Sequence, residues 1–315
     1  MAKEQKTFKF EYFLSRYLSN FLRILLTNIY FAVPSIIAIG ICYFLSELIF
    51  GGTQIIVMLF SIVLIFPFFS GVTIVTRNIA RGDDKVQVFS TFIKGIKNNF
   101  LAFLIHGLVL FIATVLSYLS ISFYISLINT PDMPVKWMIW GVLIICILLA
   151  LVVFYTYFYI PVMTVTYDIK KRYIYKNSIL MSFGEAKNNL IATLFLLVVA
   201  AIVATIIYFS ASYSVLFFII SLLLYVFILP ATISYTINFF VYDGMTNLIS
   251  KKDFKDKDTT KNKKIEIKLE DLDRDTIDVS KLKDTDDYIF YNGKMIKQST
   301  LLKLLKNNDS ENDNG

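Results

Sequence analysis

Gln54 to Lys85 reads QIIVMLFSIVLIFPFFSGVTIVTRNIARGDDK, and the reading of this stretch decides the fold. Gln54–Thr76 carries no charged side chain and, as a helix, is long enough to cross the roughly 30 Å hydrocarbon core of a bilayer. It then runs straight into Arg77, Arg81, Asp83, Asp84 and Lys85. An apolar run closed by a basic turn is the mark of a transmembrane helix leaving the membrane on its cytoplasmic side.

Working outward, the same pattern recurs. Apolar spans are expected at about 22–46, 54–76, 100–128, 137–167, 190–208 and 213–242. With 56% hydrophobic residues, the chain carries more apolar surface than one soluble core of 315 residues can hide. Of the sixteen Lys and Arg before position 251, fifteen fall on one side of this six-span reading, and only Lys136 falls on the other. Both termini are therefore expected in the cytoplasm. The net charge of +7 sits entirely in the first 250 residues, because the tail beyond them carries fifteen basic and fifteen acidic side chains. Charge that flanks spans points to anionic lipid head groups as partner and away from nucleic acid. The first apolar run is too long for a cleavable signal peptide.

The connections on the basic side resemble one another. Residues 1–21 form an arm in which Phe10, Phe13, Leu14, Tyr17 and Phe21 recur at helical spacing. Phe89, Phe92, Ile93 and Ile96 do the same before span three, and Ile179, Phe183 and Ala186 do so more weakly before span five. Such basic amphipathic segments lie in the membrane interface or pack on the bundle as ordinary loop helices. Each ends in a related phrase, Ser19-Asn20-Phe21, Asn98-Asn99-Phe100 or Asn188-Asn189-Leu190, and each following pair of spans closes on a proline, Pro67, Pro161 or Pro230. The pattern predicts three like-oriented hairpin units related about the membrane normal. Trp137 and Trp140 sit where an interfacial aromatic belt is expected.

Beyond residue 245 the composition changes. Residues 246–287 read as a polar linker, and Tyr288 to Ile296 as a hairpin about an Asn292-Gly293 turn. A short helix over Gln298–Lys306 completes a tail module at 288–308, and 309–315 is expected to be disordered. The module is too small to be stable alone and should dock on something.

Reactive chemistry is sparse. His106 is the single histidine, Cys42 and Cys146 both lie inside spans, and no glycine loop or metal-ligand spacing is present. No cofactor or metal is expected. His106 is expected to hydrogen-bond to a neighbouring helix, and Asn28, inside span one, to do the same. Pro34, Pro67, Pro161 and Pro230 are candidate kinks, which shape packing in most bundles and form binding sites in some transporters. The candidate contact surface for a partner or lipid comprises Arg77, Arg81, Gly82, Lys94, Lys97 and Asn99.

Asn28, Pro34, Pro67 and Gly71, with Val75-Thr76-Arg77, Arg81-Gly82-Asp83, Phe89, Phe92 and Lys97-Asn98-Asn99-Phe100, resemble the YesL family, also described as DUF624 membrane proteins. The likeness extends over about residues 10–245. It departs from the family where Pro34 and Gly71 are separated by a second span, and the C-terminal module has no counterpart. The resemblance implies a bacterial plasma-membrane protein of unestablished activity with a suggested link to carbohydrate uptake, and it supplies no catalytic residues.

The sequence thus predicts an all-α, six-span polytopic membrane helical bundle of three like-oriented hairpin repeats, with a small cytoplasmic C-terminal α+β appendage. The function expected is a non-catalytic accessory or scaffold engaging a protein partner at the cytoplasmic face. The alternative is a transporter or channel for a small neutral solute, and a lipid-modifying membrane enzyme ranks third.

Overall fold

The computed structural model describes residues 9–83, 86–130, 135–210, 214–255, 288–291 and 294–299. Among them the helices are α1 (Lys9–Ser19), α2 (Phe21–Phe50), α3 (Ile55–Arg81), α4 (Val88–Ile128), α5 (Lys136–Thr166), α6 (Lys171–Gly184), α7 (Ala186–Ser210), α8 (Ser214–Phe227) and α9 (Leu229–Lys255). Five of these, α2, α3, α4, α5 and α7, are long and apolar enough to cross a membrane, and α8 with α9 makes a sixth if the bent pair is one span. Large apolar side chains cover the outside of the bundle, Trp137 and Trp140 among them. The chain has the build of a multi-pass membrane protein.

Helix ends follow local chemistry. Gly82 closes α3 in the left-handed conformation (φ 100°), where a Cβ would be strained. Its N–H donates to the Ile79 carbonyl at 3.1 Å, and that of Asp83 donates to Asn78 at 3.1 Å, the paired bonds of a Schellman cap.

The helices that carry Pro67, Pro161 and Pro230 occupy the middle. α3, α5 and α9 touch one another pairwise, and α2, α4 and α7 pack on α3, α5 and α9 respectively. The amphipathic segments dock on these same three. From α1, Phe13 stacks among Tyr235, Phe239 and Phe240 of α9, and its carbonyl accepts the Tyr235 hydroxyl at 3.0 Å. The start of α4 lies on α3, where a Cβ on Gly71 would come within 2.6 Å of the Phe92 ring and one on Gly95 within 2.7 Å of Ile74. Farther along, a Cβ on Gly107 would meet Phe66 at 2.7 Å. Backbones approach this closely only because small residues face each other. α6 packs on α5, where the Ser178 hydroxyl donates to the Met163 sulfur at 3.5 Å.

Two expectations are corrected. The amphipathic segment before span three is not a separate interfacial helix: Val88–Ile128 is one helix of 41 residues, about 60 Å long. No proline interrupts it, and Asn99 bonds back to the Gly95 carbonyl at 2.9 Å, one turn earlier, without leaving the ladder. Span six is not continuous, because α8 and α9 meet at Ile228 with a bend of 41°.

The segment read as linker from 246 is helical through Lys255, where no proline or glycine stops α9. Of the tail module, strands β1 (Tyr288–Tyr291) and β2 (Lys294–Lys297) pair antiparallel, with Ile289 opposite Ile296 and Tyr291 opposite Lys294. Ile296 is buried and β2 contacts α5. The turn residues Asn292 and Gly293, the linker over 256–287, the helix expected beyond Ser299 and the segment 309–315 lie outside the described residues.

Candidate functional site

The most elaborate polar arrangement lies where span six breaks. Pro230 lacks an N–H, so the helix loses the bond that residue 230 would make four residues back. One residue on, Ala231 would ordinarily donate to the Phe227 carbonyl. Instead its N–H donates at 2.6 Å to Oδ1 of Asn28 on α2, while Asn28 Nδ2 donates at 2.9 Å to that same Phe227 carbonyl and at 3.1 Å to Ile228. The amide of Asn28 is thus inserted into the ladder as a splint between residues 227 and 231. Insertion of a side chain into the i to i−4 ladder is a recognised cause of a sharp bend. Asn28 is fully buried, as are Ala231 and Pro230. Pro34 is half-buried in α2; Pro67 and Pro161 are buried within α3 and α5, which continue through them.

A second cluster joins α3, α5 and α9. Arg77 is 1% exposed and donates from Nη1 to the Val165 carbonyl at 2.6 Å, and from Nη2 to Asn78 Oδ1 at 2.8 Å. Val165 is next to last in α5, so its carbonyl lacks a helical donor and Arg77 supplies one. Beside it, the Thr76 and Ser234 hydroxyls lie 2.8 Å apart, and Asn238 Nδ2 donates to Thr76 at 3.0 Å and to the Ser234 carbonyl at 2.8 Å.

A third cluster surrounds His106. The Thr164 hydroxyl donates to the Ile160 carbonyl at 2.7 Å, so at 3.1 Å its oxygen accepts from His106 Nε2–H. His106 Nδ1 then accepts from the Tyr175 hydroxyl of α6 at 2.7 Å. A neutral ring with its proton on Nε2 satisfies every partner. Burial pushes the Tyr175 hydroxyl above its ordinary pKa, so its proton stays on the oxygen. The His106 carbonyl also accepts the Tyr157 hydroxyl at 2.7 Å.

One asparagine of each recurring phrase, Asn20, Asn99 and Asn189, is buried. Asn20 donates to the Arg16 carbonyl at 3.2 Å, Asn99 to Gly95, and Asn189 to Ser182 at 3.0 Å. Asn189 Oδ1 accepts the Tyr159 hydroxyl at 2.7 Å.

The expected contact surface divides accordingly. Arg77 and Asn99 are turned inward, so neither is available to lipid phosphate or an outside partner, which corrects that expectation. Their polar ends are drawn in by a backbone carbonyl, that of Val165 for Arg77 and that of Gly95 for Asn99. Gly82 serves the cap of α3 and is covered by the Arg16 guanidinium. Arg81 is half-buried with its guanidinium 5.3 Å from the Tyr242 ring centre, while Lys94 and Lys97 are exposed. Thr76, Ser234 and Asn238 do not stand among the residues expected from the sequence, although a Ser and an Asn four apart inside an apolar span is an available signal. No group of His, Cys, Asp and Glu among the described residues could hold a metal ion.

The fold and these clusters define a helical, multi-pass membrane protein whose interior polar groups join helices to one another. Among known families, one described as a protein of unknown function, DUF624, matches residues 43–121, which run from late α2 through α3 into α4. That stretch includes Pro67, Arg77, Gly82, Asn99 and His106. No curated protein and no solved structure matches the chain.

Proposed function

We propose that this chain is a non-catalytic membrane accessory or scaffold protein of the YesL type, seated in a bacterial plasma membrane with both termini in the cytoplasm. It engages a protein partner, such as a small-solute or carbohydrate transport assembly, through its basic end. One observation carries this reading: Asn28, Arg77, His106 and Asn189 are each spent on bonds within the chain, while Lys94 and Lys97 stand on the surface. Polar groups used as interhelical ties suit a scaffold, which needs rigidity and an outward charged face.

A three-unit build fits this role. In support of it, α1, the start of α4 and α6 dock on α9, α3 and α5, so each amphipathic segment lies on the proline-bearing helix of the unit before it. The N-terminal segment closes the ring. The test is co-purification from native membranes with the doubly reversed variant Lys94→Glu/Lys97→Glu beside the wild type. A stoichiometric partner that disappears on reversal is the expected outcome. Absence of any such partner from the wild type would contradict the proposal.

A second reading, a transporter for a small neutral solute, draws on the 41° break in span six. Broken helices line substrate sites in many transporters. Solute flux into vesicles reconstituted with the chain would favour it over the scaffold.

A further inference from the structure

The three helices that touch one another pairwise, α3, α5 and α9, carry one short phrase in common. It reads Ile74-Val75-Thr76-Arg77 in α3, Thr164-Val165-Thr166-Tyr167 at the end of α5 and Thr232-Ile233-Ser234-Tyr235 in α9. Its third position carries a hydroxyl in every copy, and Thr76, Thr166 and Ser234 are buried, at 0, 0 and 2% exposure. Two of these hydroxyls, those of Thr76 and Ser234, meet directly at 2.8 Å. The bond from Arg77 to the Val165 carbonyl joins the neighbours of Thr76 and Thr166, so Thr166 belongs to the same junction.

Donors and acceptors there do not balance. The Thr76 hydroxyl donates to the Val72 carbonyl at 2.8 Å, so its oxygen accepts from the Ser234 hydroxyl and from Asn238 Nδ2. Asn238 Nδ2 also donates to the Ser234 carbonyl, which fixes the orientation of the amide. Every proton of this group is then used, and Asn238 Oδ1, on a residue 1% exposed, has no hydrogen-bond partner. Thr166 Oγ1 has none either. Thr73, Thr76, Thr156, Thr164, Thr232 and Thr236 each donate to the carbonyl four residues earlier, at 2.6 to 2.9 Å. Thr166 makes no such bond, so its proton is left to donate elsewhere. A free buried donor and a free buried acceptor thus stand on two helices of one junction.

Leaving both bare would cost the desolvation of two polar groups. We propose that α5 and α9 are joined here by one buried water, which accepts from the Thr166 hydroxyl and donates to Asn238 Oδ1. Water is the smallest molecule that offers both roles, and buried waters serve polar groups of this kind. A metal ion would take up the two oxygens without accepting the Thr166 proton, and it would share the junction with the Arg77 guanidinium. The water does for α5 and α9 what the contact of Thr76 with Ser234 does for α3 and α9. The site stands apart from the scaffold reading, since neither Lys94 nor Lys97 contributes to it.

The test has two arms, both on the full chain. A crystal structure refined with its solvent shows one peak within about 3.2 Å of both Thr166 Oγ1 and Asn238 Oδ1. No peak, a direct bond between the two side chains, or a peak at metal-ligand distances of about 2.4 Å would overturn the proposal. In the second arm Thr166→Val deletes the hydroxyl at nearly constant volume, and equilibrium unfolding is measured in mixed micelles. Loss of the bridge lowers the folded-to-unfolded ratio about fivefold, the worth of one ordinary hydrogen bond. A bare hydroxyl gives the opposite sign, because the variant sheds an unpaired buried group, so an unchanged or raised ratio would also overturn the proposal. Should Thr166→Val fail to fold, the crystallographic peak still decides the matter.

Discussion

Replacing Asn28 by alanine removes three hydrogen bonds at once, of 2.9, 3.1 and 2.6 Å, between α2 and the break in span six. The Ile228 carbonyl keeps the Thr232 hydroxyl at 2.6 Å, so the damage falls on the Phe227 carbonyl and the Ala231 N–H. Each buried group left unpaired costs about 1–3 kcal/mol, which gives roughly 2–4 kcal/mol for the two with partial relaxation. That exceeds the average interhelical hydrogen bond in a membrane, about 0.6 kcal/mol, because the backbone ladder of span six is broken along with the tie between helices. Asn28→Asp keeps an acceptor for Ala231 but, held neutral by burial, has one O–H for two carbonyls, and is expected to be damaging to a smaller degree than alanine.

The assay is equilibrium unfolding in mixed micelles, with Asn28→Ala measured alone and together with Pro230→Ala. Restoring an N–H at position 230 lets the helix re-form its own ladder, so the cost of Asn28→Ala should shrink in the double variant, a coupling of about 1 kcal/mol or more. A change below about 0.5 kcal/mol for Asn28→Ala, or strict additivity with Pro230→Ala, would refute the splint.

Two further outcomes follow from the packing. Gly95→Leu drives a side chain into Ile74 and the Gly71 backbone, so the variant should be destabilised by about 2 kcal/mol or more in the same unfolding assay, whereas Gly141→Leu, which meets nothing, should be near neutral. His106→Ala leaves the Tyr175 and Thr164 hydroxyls short of a partner and should cost about 1–3 kcal/mol, with α6 gaining amide exchange before the rest of the bundle.

Much of the fold is legible in the sequence because hydropathy and charge act locally. The apolar run from Gln54 and the basic turn after it give α3 directly, and Gly82 marks its end. The candidate site is legible only in parts. Asn28 and Pro230 each stand out, one as a polar residue in an apolar span and the other as a helix breaker, yet their partnership depends on which helices meet and at what height. Arg77 has the position of a lipid-facing arginine. Its inward turn is decided by the free carbonyl of Val165, 88 residues away. The continuity of α4 is hidden by a change from amphipathic to apolar character at Phe100, which alters what surrounds the helix without breaking its backbone. The bend in span six is the reverse case, because its apolar run is unbroken in composition while its backbone is not.

The orientation of the bundle underlies every role assigned to its basic end. After replacement of Cys42 and Cys146, single cysteines at Lys94, Lys171 and Lys136 would be exposed to a membrane-impermeant maleimide in intact cells. Labelling is predicted for Lys136→Cys alone, with Lys94→Cys and Lys171→Cys reacting only after the membrane is opened. Reaction of Lys94→Cys or Lys171→Cys in intact cells would contradict the account.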